Sequence, residues 1–258
     1  MTLELGYLLP TRERIMVGKH ETGDIIALGD LADQLGIDSV WIGRVILGIG
    51  TARDVPAIRA EFEAAGVPFE KRIGRMLEQM RLCRALWAGG PVDWDGLWKV
   101  KQGELAPKPF TPGGPKIWSG GGVEAALKRS GRYFDGWFPS GAGNGRDWTE
   151  GWNGVKRFAK EAGRDPADIT GAAYVTISVN DDQASADAEL DAYLEGYYLA
   201  PAERIRGQQY CFAGNRSAAV AWLGEFVEGG ASHICVRFTG SDDARQMEEL
   251  VKIREELN

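Results

Sequence analysis

The sequence predicts an α/β fold of the (β/α)-barrel type, arranged as a single domain over residues 1–258. Three observations support this prediction. The length of 258 residues is usual for one barrel of this kind. Short apolar runs rich in Val, Ile and aromatic residues alternate with helical periodicities, which is the pattern of parallel β/α units. The hydrophobic share of 44% and the charged share of 26% are typical of a globular core with a solvated surface.

Seven segments have the composition of β-strands, one fewer than a closed barrel contains. Each is a short apolar run bounded by turn residues or by a helical pattern. They cover residues 3–9, 39–42, 45–49, 116–119, 136–139, 173–179 and 233–238.

The segments between these strands carry helical stripes of apolar residues. Stripes over 25–35, 69–87 and 247–257 have the spacing of amphipathic helices, and we expect them to face the core. An Asp95-Gly96 pair lies between two short alternating segments, which predicts a hairpin with a tight primed turn. Residues 197–213 are expected to form an insertion that covers the mouth of the barrel.

Charge and cysteine usage exclude several classes of function. The 30 Lys and Arg residues against 37 Asp and Glu give a net charge of -7, which opposes nucleic-acid binding. Three cysteines without a CxxC pair and two distant histidines predict neither a metal site nor a disulfide framework, and they favour a reducing, cytoplasmic location. The apolar N-terminal stretch carries Glu4 and no basic leader, so we expect a buried strand instead of a signal peptide or membrane anchor.

The most informative stretch is residues 116–129, Lys-Ile-Trp-Ser-Gly-Gly-Gly-Val-Glu-Ala-Ala-Leu-Lys-Arg. Here a strand leads through three glycines into an Ala-rich helix, so that backbone N–H groups and the positive helix end converge on one point. This geometry suits a phosphate group, although a tight strand-to-helix turn alone would also use the glycines. The glycine-rich segment 141–146 lacks the full dinucleotide pattern and is expected to be a loop.

Four motifs in order along the chain carry a resemblance to a known family. They are 46–50 (Ile-Leu-Gly-Ile-Gly), 62–72 (Phe-Glu-Ala-Ala-Gly-Val-Pro-Phe-Glu-Lys-Arg), 105–110 (Leu-Ala-Pro-Lys-Pro-Phe), and the glycine turn with 132–140 (Arg-Tyr-Phe-Asp-Gly-Trp-Phe-Pro-Ser). Together they resemble the luciferase-like monooxygenase family of flavin- and deazaflavin-dependent oxidoreductases. The resemblance extends over nearly the whole chain.

This resemblance implies a cofactor site at the carboxyl-terminal mouth of the barrel. It implies that FMN or a deazaflavin (coenzyme F-420) places its phosphate near the glycine turn. It further implies that the loop after the family's fourth strand contacts the cofactor, with Arg53 the candidate for a charge near the phosphate or ring; a solvated Arg53 that pairs with Asp54 is the alternative. The implied cofactor residues are Gly120, Gly121, Gly122, Gly50, Thr51 and Arg53.

Four residues at or near carboxyl-terminal strand ends are candidates to face a small-molecule substrate, with core packing as the alternative for each. No nucleophile with an adjacent base stands out, which fits chemistry carried by a cofactor. The substrate candidates are Tyr7, Trp41, Ser140 and Arg237.

The sequence departs from the family pattern at Gly43 and Arg44. The second strand is followed at once by a match to the family's fourth strand, so about one helix-strand-helix block is missing. A link of two residues cannot join parallel strands, which need roughly a dozen residues or more. We expect either one long strand over 39–49 or an antiparallel turn, and an incomplete barrel in both cases.

An incomplete barrel leaves three functional interpretations. It exposes strand edges, which favours a homodimer and weak flavin binding by the monomer. The chain is then either a working oxidoreductase or a catalytically impaired relative with an internal deletion. A barrel glycosidase is a weaker alternative, suggested by nine tryptophans and abundant carboxylates, but no carboxylate pair is found at the strand ends.

Overall fold

The computed structural model describes residues 4–7, 31, 34–35, 37, 39–40, 46–109, 111–240 and 242–257. The chain divides into two compact units, one made of residues 46–117 and the other of the remaining residues. The single-domain organisation stays a prediction.

A parallel sheet forms the larger unit. Its strands run in the order β2, β1, β10, β8, β7, β6, and β9 also pairs with β8. The pairing is parallel throughout, as the β/α alternation predicts. The strands are β1 (Glu4–Tyr7), β2 (Ser39–Val40), β6 (Lys116–Ser119), β7 (Gly136–Trp137), β8 (Thr170–Val179), β9 (Tyr210–Gly214) and β10 (His233–Phe238).

Most of the helices of the larger unit pack on one face of this sheet, called the outer face. Alternate residues of β8 and β10, such as Val175 and Val236, join side chains from α4, α7 and α8 in the main core. The helices of the unit whose bounds lie within the described residues are α3 (Glu124–Tyr133), α4 (Gly145–Glu161), α5 (Gln183–Tyr198), α6 (Ala202–Arg206), α7 (Arg216–Glu228) and α8 (Asp243–Leu257).

The prediction of an insertion over 197–213 is wrong in one respect. Its last residues form strand β9, which extends the sheet beside the carboxyl-terminal half of β8. Cys211 and Ala213 of β9 face away from the main core, toward the buried Leu190 and Leu194 of α5. The helices α5 and α6 therefore cover the opposite, inner face of the sheet at β9.

The smaller unit contains a strand, two helices and a hairpin. Its elements are β3 (Ile46–Ile49), α1 (Pro56–Ala64), a 3-10 turn (Phe69–Lys71), α2 (Arg72–Ala88), β4 (Val92–Asp95) and β5 (Lys99–Gly103). The apolar stripe over 69–87 forms a helix as predicted, but only Phe69 and Leu82 are buried and the rest of the stripe is half-buried.

The prediction of a tight primed turn at Asp95-Gly96 is wrong. Asp95 pairs with Lys99, so three residues form the turn, and the Gly96 N–H donates to the Trp98 carbonyl over 3.1 Å. The longer turn is held from α2, because the Glu78 carboxylate accepts hydrogen bonds from the Leu97 N–H at 2.5 Å and the Trp94 indole at 3.2 Å.

The seam predicted at 43–44 lies outside the described residues. The described part of strand β2 is Ser39–Val40, and that of strand β3 is Ile46–Ile49. The prediction of either one long strand over 39–49 or an antiparallel turn therefore stays a prediction.

One edge of β8 has a gap that a side chain fills. Strand β7 pairs with Gly171 and β9 begins to pair at Val175, on the same edge. Between them the Ala172 carbonyl accepts a hydrogen bond of 3.1 Å from the indole N–H of the fully buried Trp148. Trp148 therefore replaces a missing strand neighbour.

We expect Trp148→Phe to destabilise the fold by about 1–3 kcal/mol, because it leaves a buried carbonyl without a donor. Trp152→Phe is the matched control, since Trp152 lies in the same ring cluster and its indole makes no hydrogen bond within the described residues. Urea unfolding of both variants measures the difference. Equal losses from the two substitutions would mean that ring volume, not the hydrogen bond, is what matters.

Candidate functional site

The three glycines form the turn between strand β6 and helix α3. Gly121 has a φ of 99°, a conformation that side chains rarely adopt. A Cβ at Gly121 would lie 2.9 Å from the Ala126 Cβ, and one at Gly120 would lie 3.0 Å from the Phe138 carbonyl oxygen. The turn thus requires glycine at two of its three positions.

The core fixes this turn. The Trp137 indole N–H donates a hydrogen bond of 2.9 Å to the Gly121 carbonyl. Trp137 is itself buried among Trp148 and Trp152, with ring centroids 5.5 and 6.4 Å away. The carbonyl at the centre of the turn therefore points inward to a rigid donor.

Helix α3 begins without a side-chain cap. Its N-cap residue is Val123, which is 70% exposed and has no side chain able to accept a hydrogen bond. The first N–H groups with a backbone acceptor belong to Ala126 and Leu127, which donate to the Val123 carbonyl at 2.7 and 3.1 Å. Within the described residues, the N–H groups from Gly121 to Ala125 have no acceptor, and all five of these residues are exposed.

The other long helices of the larger unit with described starts are capped by their own side chains. Asn144 and Asp147 form a capping box at α4, Asp182 accepts from the Ser185 N–H at α5, and Asn215 accepts from the Ala218 N–H at α7. Residues 141–144 thus form a loop that leads into a capped helix, and the Asn144 and Arg146 amides already donate to the side chains of the capping box. A donor set open to an external anion is present at the glycine turn.

The second predicted cofactor element, the loop 50–53, belongs to the smaller unit. It follows β3 directly, and Gly50, Ala52 and Arg53 are exposed. Ala52 has a φ of 56°, one of three positive values among the described non-glycine residues. Asp54, the partner that the alternative interpretation gave to Arg53, forms an ion pair with Arg59, at 2.5 Å from Nε to Oδ1.

The structure places the four substrate candidates in different environments. Tyr7 ends the described backbone of β1, and Trp41 lies outside the described residues. Ser140 is exposed in the loop after β7. Arg237 is 7% exposed on β10, where it is paired in register with Thr176 of β8.

Aromatic rings surround Arg237 on the inner face of the sheet. The guanidinium carbon lies 4.8 Å from the ring centroid of Tyr174 and 4.6 Å from that of Tyr197, and Nη1 donates to the Tyr198 hydroxyl at 3.0 Å. Tyr174 also contacts Phe138, which follows β7, with centroids 5.5 Å apart. These rings were not predicted from the sequence. The alternation along β8, which places Tyr174 on the same face as Thr176, was the available signal.

Two thiols, the half-buried Cys211 and the buried Cys235, are poor nucleophiles. Burial raises the pKa of Cys211 to about 11, and burial also raises the pKa of Cys235. Both are therefore protonated near neutral pH and unsuited to thiolate chemistry. This agrees with the expectation that a cofactor, not a side chain, carries the reaction.

Neither a metal site nor a membrane-spanning helix is found in the described part of the chain. No group of three or more His, Cys, Asp or Glu residues in it could hold a metal ion. None of its helices is long and apolar enough to cross a membrane.

A sequence model of a known family decides the relationship of the chain. The model described as luciferase-like monooxygenase matches residues 42–244. The chain belongs to the luciferase-like monooxygenase family. The match includes the glycine turn, the loop 50–53 and the segment 62–72, and it leaves the barrel glycosidase alternative without support.

Individual relatives agree with this family assignment. The F420-dependent glucose-6-phosphate dehydrogenase of Mycolicibacterium gilvum (strain PYR-GCK) is 26% identical over 226 residues, which is 80% of this chain and 66% of the relative. The phthiodiolone/phenolphthiodiolone dimycocerosates ketoreductase of Mycobacterium sp. (strain JLS) is 31% identical over 155 residues, 59% of this chain and 40% of the relative. The chain thus spans less than two thirds of the length of these relatives.

A solved structure confirms the predicted fold class. An F420-dependent secondary alcohol dehydrogenase in complex with an F420-acetone adduct superimposes with a TM-score of 0.78 at 16% identity, over 100% of both chains. The predicted α/β fold class of the (β/α)-barrel type is therefore confirmed, and the parallel sheet of the larger unit is consistent with an incomplete barrel.

We expect Gly121→Ala to lower the free energy of unfolding by about 1–2 kcal/mol, because alanine at a positive φ places its Cβ against the chain. Gly122→Ala is the control, since Gly122 has no positive φ and its Cβ would meet nothing within 4 Å. Thermal and urea unfolding of the two variants test the difference. Equal stability would show that the turn does not need glycine at 121.

Proposed function

We propose that this luciferase-like protein is a deazaflavin-dependent oxidoreductase that acts on a small organic substrate in the cytoplasm. The uncapped glycine turn carries the proposal, since it offers exposed N–H donors and a positive helix end to a phosphate. The names of two similar proteins, the glucose-6-phosphate and secondary alcohol dehydrogenases, include F420, which favours a deazaflavin over FMN.

The donors at the turn match the chemistry of a phosphodiester. Such a group carries negative charge and accepts several hydrogen bonds. The backbone from Gly121 to Ala125 supplies donors that no side chain caps, and the one carboxylate in the first turn of α3, Glu124, accepts no cap hydrogen bond. A side chain at Gly121 would disturb the turn, whereas the space at Gly122 is open. We assign Gly120, Gly121 and Gly122 to the phosphate, and Gly50, Thr51 and Arg53 to further cofactor contacts.

The remaining residues are assigned to binding and orientation. When bound, the deazaflavin supplies hydride transfer. Tyr7, Trp41, Ser140 and Arg237 are proposed to face the substrate. The half-buried Tyr174 beside Arg237, and Phe138 in contact with Tyr174, would exclude water from the apolar part of the substrate. FMN shares the phosphate chemistry and is the second candidate cofactor.

A second candidate function is that of a relative that has lost most of its activity. It is favoured by the missing helix-strand-helix block, since the match to the family's fourth strand follows directly after residues 39–42 in the sequence. In that case the phosphate turn is retained while the ring site is incomplete, and a homodimer is proposed to cover the open edge of the barrel.

Titration of the purified protein with coenzyme F-420 and with FMN tests the proposal. We expect saturable binding of F-420 by absorbance and calorimetry, weakened about tenfold or more by Gly121→Val, because that change removes charge-assisted hydrogen bonds from the phosphate. Gly122→Ala keeps the backbone N–H and has open space for its Cβ, so its affinity should fall far less than that of Gly121→Val. Sedimentation of the same samples assigns the affinity to monomer or dimer.

Each result points to one candidate. Reduction of bound F-420 by an alcohol or sugar phosphate supports the oxidoreductase, and tight FMN binding without F-420 binding replaces the cofactor assignment. Binding without any reduction favours the impaired relative. Absence of binding to either cofactor in both monomer and dimer would contradict the proposed function.

A further inference from the structure

The loop 50–53 is held in a strained conformation. Ala52 has a φ of 56°, in the left-handed region that alanine disfavours by about 1–2 kcal/mol. Conformations of this kind persist when the surrounding structure enforces them. The residues that enforce this one belong to the motif 62–72, to which the proposed function assigns no role.

Arg72, the first residue of α2, connects the loop to the helix. Its Nε donates to the Thr51 carbonyl at 2.8 Å, and its Nη1 donates to the Phe69 carbonyl at 2.9 Å. The planar guanidinium thus joins two backbone segments 18 residues apart in the chain, Thr51 and Phe69. A carbonyl held next to Ala52 fixes the peptide plane on which the φ of Ala52 depends.

An aromatic platform fixes the orientation of the guanidinium. The guanidinium carbon of Arg72 lies 3.6 Å from the ring centroid of Phe69, close enough for stacking. Phe69 is 6% exposed and meets Phe62 edge to face at 5.2 Å. Because the platform is buried and packed, Arg72 has little freedom to turn away from Thr51.

A second arginine holds the far end of the loop. Arg59 lies 4.5 Å from the same Phe69 ring and binds both carboxylate oxygens of Asp54, at 2.5 and 2.8 Å. Its hydrogen bonds lower the pKa of Asp54. This pair is exposed, so it contributes little to stability, and the partly buried Arg72 contact is the stronger restraint.

We infer that Arg72 is a positioning residue that holds the loop 50–53 ready for the cofactor, with Phe69 as its platform. The inference rests on the proposed function, in which Gly50, Thr51 and Arg53 contact the cofactor. Arg72 acts by holding the Thr51 carbonyl. This role requires the planar geometry of the guanidinium, which bonds two carbonyls at once, in addition to its positive charge.

A cofactor-free measurement tests the restraint itself. Hydrogen exchange by mass spectrometry follows peptides that span 50–55, including the Val55 N–H that donates to the Arg53 carbonyl. Arg72→Gln should accelerate this exchange about tenfold or more, since it removes a charged donor. Arg75→Gln is the matched control, because Arg75 lies one turn along α2 and approaches Trp98 at 5.4 Å instead of the loop. Equal exchange in the two variants would overturn the inference.

Three substitutions then separate positioning from charge, with F-420 affinity as the readout. Arg72→Lys keeps the charge but lacks the planar fork, so affinity should fall almost as far as in Arg72→Gln. Adding Ala52→Gly to Arg72→Gln should recover part of the loss, because glycine adopts a positive φ without strain. Full affinity in Arg72→Lys, or no recovery in the double variant, would show that Arg72 acts by its charge or through the fold at large.

The two readouts distinguish failure of the inference from failure of the proposed function. If the unchanged protein binds no F-420, the proposed function fails, and the exchange data alone decide whether Arg72 restrains the loop. If F-420 binds and Arg72→Gln changes neither exchange nor affinity, the positioning role is wrong and the proposed function stands.

Discussion

Strand β8 is covered on both faces, so every backbone polar group along its two edges needs a partner inside the protein. Strand β10 serves one edge, while β7 and β9 share the other and leave the Ala172 carbonyl between them. The Trp148 indole closes that gap. The neighbouring Trp137 uses its own N–H to hold the Gly121 carbonyl. One packed group of indole rings therefore completes the sheet and orients the proposed phosphate turn.

The two proposed cofactor elements are built by different means. At the glycine turn, the absence of side chains leaves the backbone N–H groups accessible, and buried rings hold the turn from behind. In the loop 50–53, side chains of a distant segment enforce a conformation that alanine disfavours. The glycine turn therefore depends on the absence of side chains, whereas the loop 50–53 depends on the contacts of Arg72 and Phe69.

Much of the fold was predictable from local patterns, because a buried parallel strand is a continuous apolar run. Residues 116–119 and 233–238 form strands with the predicted bounds. Strand β9 was missed because Tyr210–Gly214 is short, follows two glutamines and has one face turned to α5. The turn after Asp95 was mispredicted because Glu78, in a preceding helix, holds it. The glycine turn was visible in sequence, whereas the Arg72 contact with Thr51 joins residues whose spacing has no periodicity to reveal it.

The exposed Val123 at the start of α3 links folding to ligand supply. A helix that begins without a cap gives up stabilisation that a serine or aspartate would provide, commonly about 1 kcal/mol. An anion bound there restores the missing hydrogen bonds and shifts the folding equilibrium in proportion to its free concentration. Chains without cofactor would unfold more often and meet proteases sooner. The amount of this protein in a cell would then follow the availability of its cofactor, without any dedicated sensor.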